Sequence, residues 1–383
     1  MDSGDIAFGF GLLSHLDGGN ASLSPFSIRT ALSMVYEGAE GQTAEEIAQV
    51  AKFPKGARRQ VELQKVLLAL NAQHEGFTLA TGNGLWADRA FPVLDSYTRL
   101  LTEAYAAEAT SADFKHRAEA WRGNINDWVS GKTEQKIPEL FKEGTITDET
   151  VIALANALYF KGSWKKKFNP EHTRPQDFTL EDRTVVQVEM MRKGQVEGRE
   201  PSFSYGYFDG VKAVLLPYKG DAVILPYTGD AVSKLMLLPP KRSSVASLET
   251  ELREHPETLA TWRSHMGYET FSRLELPKHE VRGSYELLAP LRAMGISQVF
   301  TEYAELHGIS REAIYITSGQ HESYFKTDEE GSEGAAATGF GGMRATFAAQ
   351  PPPAVEFVAD RPFLELVLLG DTVLFLNRIM DPR

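Results

Sequence analysis

The chain has 383 residues, is 42% hydrophobic and contains no cysteine, so it can bury a large core and holds neither disulfides nor thiolate metal sites. Its formal net charge is −12 without a dense Lys/Arg run, which argues against nucleic acid as a partner. No apolar stretch reaches membrane-spanning length, so no membrane is expected either.

In chain order, the start MDSGDIAFGFGLLSHL lacks a basic region followed by an apolar run, so no signal peptide is expected at its head. Ile6 to Leu16 reads as an amphipathic helix stopped by Gly18-Gly19. A Ser-Pro break then precedes a second helix in LSPFSIRTALSMVYEGAEG. TAEEIAQVAKF carries a capping-box pattern, Thr43 with Glu46. The thin basic patch GARR, with Lys55 and Lys65 nearby, reads as a solvated face. AWRGNINDWV places Trp121, Ile125 and Trp128 on one helical face. VIALANALYFKG is a near-continuous apolar run of strand formers, expected as a strand buried on both faces. Strand-like runs follow at Val211 to Tyr218, Ala222 to Tyr227, Ser233 to Leu238 and Arg273 to Val281. Helices at PETLATWRSHM and LLAPLRAMG interrupt them. FLELVLLGDTVLFLNRI predicts two strands about a Gly370-Asp371 turn. LPYKGDAV (Leu216 to Val223) recurs as LPYTGDAV (Leu225 to Val232), a period far too short for a solenoid; it reads as a duplicated turn lengthening one hairpin. Helices come mainly early and strands mainly late, without regular βαβ alternation, which predicts an α+β fold with mixed or antiparallel sheets. No linker divides the chain, so residues 1–383 are read as one domain.

Motifs for catalysis are missing. HESYF keeps only the start of a zinc-protease HExxH, and neither a GxSxG elbow nor a Walker loop occurs. GFGGM lacks the spacing of a dinucleotide loop. The nine histidines show no metal-ligand spacing. No metal or cofactor is expected, and the sequence gives no handle for an enzyme, although a triad assembled in space would leave no sequence motif.

The unusual stretch is DEEGSEGAAATGFGGMRATF, Asp328 to Phe347. As a strand of period two, one face carries Ser332, Gly334, Ala336, Thr338 and Phe340. The other carries Gly331, Glu333, Ala335, Ala337 and Gly339. The first face is uncharged and small until Phe340, as a segment sliding between two existing strands requires. A Gly/Ala linker is the alternative reading of these residues. The prolines 351–353 then keep the chain extended before it returns to core strand, so the segment is tethered at both ends. A tethered loop carrying Arg344, Ala345 and Phe347 is a natural protease substrate.

At this point LSPFSIRTALSMVYEGAEGQTAEEI, NINDWV, LANALYFKGSW, LPK, ELLAPLRAMGI, DEEGSEGAAAT and ADRPFLELV together resemble the serpins, the serine protease inhibitor family, in that family's order and over nearly the whole chain. The resemblance implies the serpin fold of three β-sheets with eight or nine helices and an exposed reactive-centre loop, here about residues 329–353. It further implies a member of prokaryotic type, a monomer, and an extracellular or secreted place with an intracellular one left open. The implied activity is suicide inhibition: a serine protease cuts the loop, an acyl-enzyme forms, and the loop enters the central sheet. Loop insertion in this family is a general example of a switch that releases stored strain and comes to this chain with the resemblance. About ten new backbone hydrogen bonds at ~1 kcal/mol each would contribute on the order of 10 kcal/mol, comparable with a domain's whole stability, so the uncut form would be metastable. A non-inhibitory carrier or folding helper is the alternative within the family.

Residue by residue, Glu329 matches the acid at the top of the loop, Lys278 its partner, and Trp164 the tryptophan packed where insertion begins (together the breach). Gly331, Ser332, Gly334, Ala335, Ala336, Ala337 and Thr338 continue the hinge from Glu329. Ser24, Ser27, Asn156 and His321 match the polar group beneath the sheet centre (the shutter). Seventeen positions from Glu329, the family's spacing, puts the scissile bond at Ala345-Thr346, suited to elastase- or subtilisin-like proteases. A count one shorter gives Arg344-Ala345, suited to trypsin-like ones. Departures are Gly334 for alanine, the extra Gly339, Gly341 and Gly342, and Asn377 for a glycine in the last strand. Each glycine costs ~0.5–1 kcal/mol of backbone entropy on ordering, which would slow insertion.

Overall fold

The computed structural model describes residues 1–53, 66–67, 75–193, 201–220, 223–224, 227–228, 232–332 and 355–383. Among these are eight α-helices: α1 Ser3–Leu13, α2 Pro25–Glu37, α3 Gly41–Val50, α4 Asp95–Tyr105, α5 Phe114–Lys132, α6 Val245–Glu254, α7 Thr258–His265 and α8 Leu288–Met294. The strands are β1 Ala21–Leu23, β2 Phe77–Asp88, β3 Glu108–Ala112, β4 Ile152–Ser163, β5 Arg174–Thr179, β6 Val185–Arg192, β7 Ser202–Phe208, β8 Val211–Pro217, β9 Val223–Ile224, β10 Tyr227–Thr228, β11 Val232–Leu238, β12 Gly267–Pro277, β13 His279–Glu286, β14 Ser318–Thr327, β15 Gly331–Ser332, β16 Val355–Val358, β17 Phe363–Leu369 and β18 Thr372–Ile379.

One sheet has the order β13-β14-β4-β2-β3, with β15 added on β4. A second, ten-stranded path runs β1-β18-β17-β11-β8-β7-β12-β6-β5, with β16 on β12. This path is two sheets sharing one long strand. Gly267 to Thr270 of β12 pair with β7, whereas Glu275 to Pro277 pair with β6. An irregularity between Phe271 and Arg273 marks the change, as bulges do where a strand switches partners. The expected three-sheet α+β architecture is therefore what the chain forms. A two-stranded β9-β10 ladder stands apart.

β4 is buried along almost its whole length, because it lies centrally in its sheet between α2, α5 and the second sheet. Ile125 is fully buried, and Trp128 meets Trp86 edge-to-face at 5.1 Å, so the aromatic face of α5 covers this sheet. On the other side, β17 and β18 are buried throughout β17 and nearly throughout β18 and turn at Gly370, whose φ is +56°.

Several local expectations need correction. The first helix starts earlier than Ile6, because the Asp2 carboxylate caps the amide of Gly4 at 2.7 Å; it ends at Leu13. Thr43 and Glu46 form no capping box. The helix begins at Gly41, the Thr43 hydroxyl accepts from the Glu305 amide, and Glu46 accepts from the amides of Ser297 and Gln298. Tertiary partners outcompete the local motif. The run Ala222 to Tyr227 is not one strand: Ile224 pairs with Tyr227 in a hairpin. The run Arg273 to Val281 is broken at Lys278, whose amide donates to Glu189 O. β8 and β11 are antiparallel neighbours, Ser233 opposite Pro217; of the repeated octapeptide between them, Leu225, Pro226, Gly229, Asp230 and Ala231 lie outside the described residues. The basic patch of residues 55–59 and Lys65 lies outside the described residues.

Candidate functional site

β4 and β14 run parallel, paired from Ala153/Ser318 up to Leu158/Ser323. Above that level they part, and β15 takes the free edge of β4, Gly331 opposite Ser163 and Ser332 opposite Gly162. The chain thus leaves β14 at Thr327, turns over Asp328–Glu330 and comes back down antiparallel to β4. The turn closes on itself: Asp328 Oδ1 accepts the amides of Glu330 (3.0 Å) and Gly331 (3.2 Å), and the Asp328 amide donates to Gly331 O at 2.9 Å.

Each acid of this turn has a lysine. Lys326 meets Asp328 at 3.2 Å, Lys278 meets Glu329 at 3.0 Å, and Lys167 pairs with Glu330. Glu329 also accepts from the Thr173 hydroxyl at 2.7 Å. Its burial would raise the carboxyl pKa, but the hydrogen bonds from Thr173 and Lys278 outweigh that and hold it below the usual range. Trp164, at the end of β4, donates its indole N–H to Asp328 O and its amide to Glu330 O, both at 2.9 Å. It stacks on Tyr218 with ring centres 4.6 Å apart. The structure therefore brings Lys278, Glu329 and Trp164 around one turn.

Gly331 lies so close to β4 that a Cβ there would sit 1.9 Å from Gly162 O; only glycine fits. Ser332 is buried and its hydroxyl shares a 2.7 Å hydrogen bond with Tyr218. Gly334, Ala335, Ala336, Ala337, Thr338, Arg344, Ala345 and Thr346 lie outside the described residues.

Lower in the seam, His321 faces Asn156 across the β14–β4 pair. His321 is fully buried; its Nε2 accepts the Ser24 amide at 3.1 Å, and the Ser24 hydroxyl caps α2 by accepting the Ser27 amide at 3.1 Å. Asn156 donates to Asn83 Oδ1 at 2.6 Å. Among the described residues, His321 Nδ1 and Asn156 Oδ1 have no partner. Since His321 Nε2 accepts, the network assigns the ring proton to Nδ1. An unused donor and an unused acceptor thus stand on either side of the seam.

Sequence reasoning did not find Tyr218, Thr173, Lys167, Lys326 or Asn83. Tyr218 had a visible signal, since it belongs to the duplicated LPY motif. The others are ordinary surface or strand residues whose roles exist only once β4 and β14 are side by side. No grouping of side chains suited to a metal ion occurs among the described residues, and no described helix is long and apolar enough to cross a membrane.

The model of the family "Serpin (serine protease inhibitor)" matches residues 5–382. The chain is 33% identical over 381 residues to the leukocyte elastase inhibitor of Bos taurus, covering 97% of this chain and 95% of that one. It is 31% identical over 379 residues to antithrombin-III of Mus musculus, covering 96% and 77%. Uncleaved ovalbumin superposes with a TM-score of 0.84 at 25% identity, covering 99% of both chains. Serpin48 of the insect Tenebrio molitor gives 0.83 at 26%, covering 99% and 97%. These relatives are animal proteins, so the expectation of a prokaryotic-type member finds no support. The family's description is that of inhibitors of proteases and not of catalysts. With Gly331 and Ser332 turned into the top of the β4–β14 seam and the family model spanning nearly every residue, the chain belongs to the serpin family.

Proposed function

We propose that this chain is a suicide-substrate inhibitor of serine proteases, acting as one domain over residues 1–383. The observation that carries this reading is the entry of Gly331 and Ser332 into the seam as an extra strand on β4. Continuing that pairing six residues along each strand brings Thr338 opposite Asn156, which already faces His321. The hydroxyl of Thr338 would then meet the unused acceptor and donor described above. In the reaction, the protease serine oxygen attacks the carbonyl carbon of residue 345. The bond to the nitrogen of Thr346 breaks, that nitrogen leaves as an amine with the transferred proton, and an ester joins protease to loop. Insertion between β4 and β14 then carries the ester and the protease away from the attacking water.

Ala345 suits small or permissive pockets, in keeping with a relative named for inhibiting leukocyte elastase; Arg344 would suit a trypsin-like pocket. Incubation with elastase, subtilisin and trypsin, read on a denaturing gel, is expected to show a covalent complex with at least one. The released C-terminal peptide is expected to begin at Thr346, and a start at Ala345 assigns the bond to Arg344. Cleavage by all three enzymes with no complex would favour a non-inhibitory carrier.

A further inference from the structure

Below Ser332, between the two sheets, lies a buried ionic group that the insertion reading does not use. Lys234 of β11 and Glu365 of β17 are both fully buried and pair at 2.8 Å. Glu365 Oε1 also lies 3.0 Å from His279 Nε2 of β13 and accepts from Asn377 Nδ2 of β18 at 2.9 Å. The Lys234 ammonium donates onward to the hydroxyl of Thr327, the last residue of β14. It stands 4.7 Å from the ring centre of Phe325 and 5.4 Å from that of Trp164. Phe325 and Thr327 belong to β14, while Trp164 directly follows β4. One ammonium therefore touches both lips of the seam at the level a descending strand must pass.

Such a group is a poor source of stability, since well-packed apolar side chains of similar volume usually serve as well or better. It gives instead a small set of directional bonds that are made or broken as a unit. Glu365 has Asn377 and His279 beside it as well as Lys234, so the ammonium keeps its anchor when it lets go of Thr327. We propose that Lys234, anchored on Glu365, is a clasp across the upper mouth of the β4–β14 seam: it must release Thr327 before a strand can enter, and so sets the rate of insertion. This rests on the insertion reading above. A slower clasp gives the bound protease more time to hydrolyse the ester and escape, so the clasp tunes how much cut protein forms per trapped protease.

The test uses the full-length uncut protein, its Thr327→Val and Thr327→Ser variants, and a synthetic peptide of residues 332–345 added in excess. Uptake is followed by native-gel mobility and the thermal midpoint. Valine keeps the shape and removes the bond to a charged donor, so Thr327→Val is expected to take up peptide on the order of tenfold faster. Thr327→Ser, which keeps the hydroxyl, is expected to match the wild type. With protease, the valine variant is expected to give less cleaved by-product per covalent complex. Equal uptake rates in all three proteins would overturn the clasp, as would a lowered midpoint in the valine variant with an unchanged rate. If peptide enters none of them and cleavage leaves the midpoint unmoved, the insertion reading itself fails and the clasp with it.

Discussion

At the scale of single residues, His321 makes the seam sensitive to acid. Burial alone pulls its imidazole down to about 3. The unfolded ring takes up its proton near ~6.5, so between these values the unfolded chain binds more protons than the folded one. Stability is therefore full above about pH 6.5 and is lost as the pH falls, at up to ~1.4 kcal/mol per unit, until the folded ring itself titrates. His321→Gln can still accept the Ser24 amide through its side-chain oxygen while carrying no titration. Urea midpoints measured from about pH 7 down to about pH 4 are expected to fall less steeply in the variant. Parallel slopes would mean that the acid sensitivity lies in other groups. The position of His321 opposite Asn156 was legible from the family pattern. The missing hydrogen bond between them was not, because it depends on how far apart two parallel strands hold their side chains.

At the scale of elements, the proposed insertion requires the strand begun by Gly331 and Ser332 to lengthen along β4. Period two puts Ser332 on the inward face; Ser332 is buried against Tyr218, but Gly331 on the other face is buried as well, and the rest of the alternation lies outside the described residues. Ser332→Arg would bury a guanidinium against Tyr218 at a desolvation cost of several kcal/mol. Insertion should slow relative to deacylation, and the protein should turn from inhibitor to substrate, cut at the same bond with little covalent complex. Glu333→Arg, on the other face, is expected to retain most of the complex. Equal complex-to-cleaved ratios in the two variants would contradict the period-two reading. Strands with mainly apolar runs, β4, β11, β17 and β18, were legible from sequence because burial on both faces leaves few polar positions, Asn156, Lys234, Glu365 and Asn377 among them. β2, which pairs with β4 along eleven positions, was not. Its sequence FTLATGNGLWAD is broken by Thr, Gly and Asn, and Gly84 is small because Trp86 occupies the space beside it. Likewise the Thr43/Glu46 pattern misled because both side chains have better partners in the loop around residues 297–305.

At the scale of the whole molecule, β4 and β14 pair directly from Ala153/Ser318 to Leu158/Ser323, and on the proposed reading a further strand would enter between them. Cleavage near residue 345 is expected to raise the thermal midpoint by on the order of 10 °C or more, given an insertion gain on the order of 10 kcal/mol. Scanning calorimetry of uncut and cut protein measures this directly; equal melting would show that no strand enters. The segment beyond the cut has its own consequence. Residues 346–383 carry β16, laid parallel on β12, and the β17–β18 hairpin, which is held between β11 and β1. Phe363 to Leu369 are buried without exception. Once the reactive bond is broken, the protein is a complex of two separate chains whose shared interface is the interior of the fold itself. The short chain should stay bound through gel filtration in native buffer and come away only when the long one unfolds, so that dissociation of the pair and denaturation become a single event.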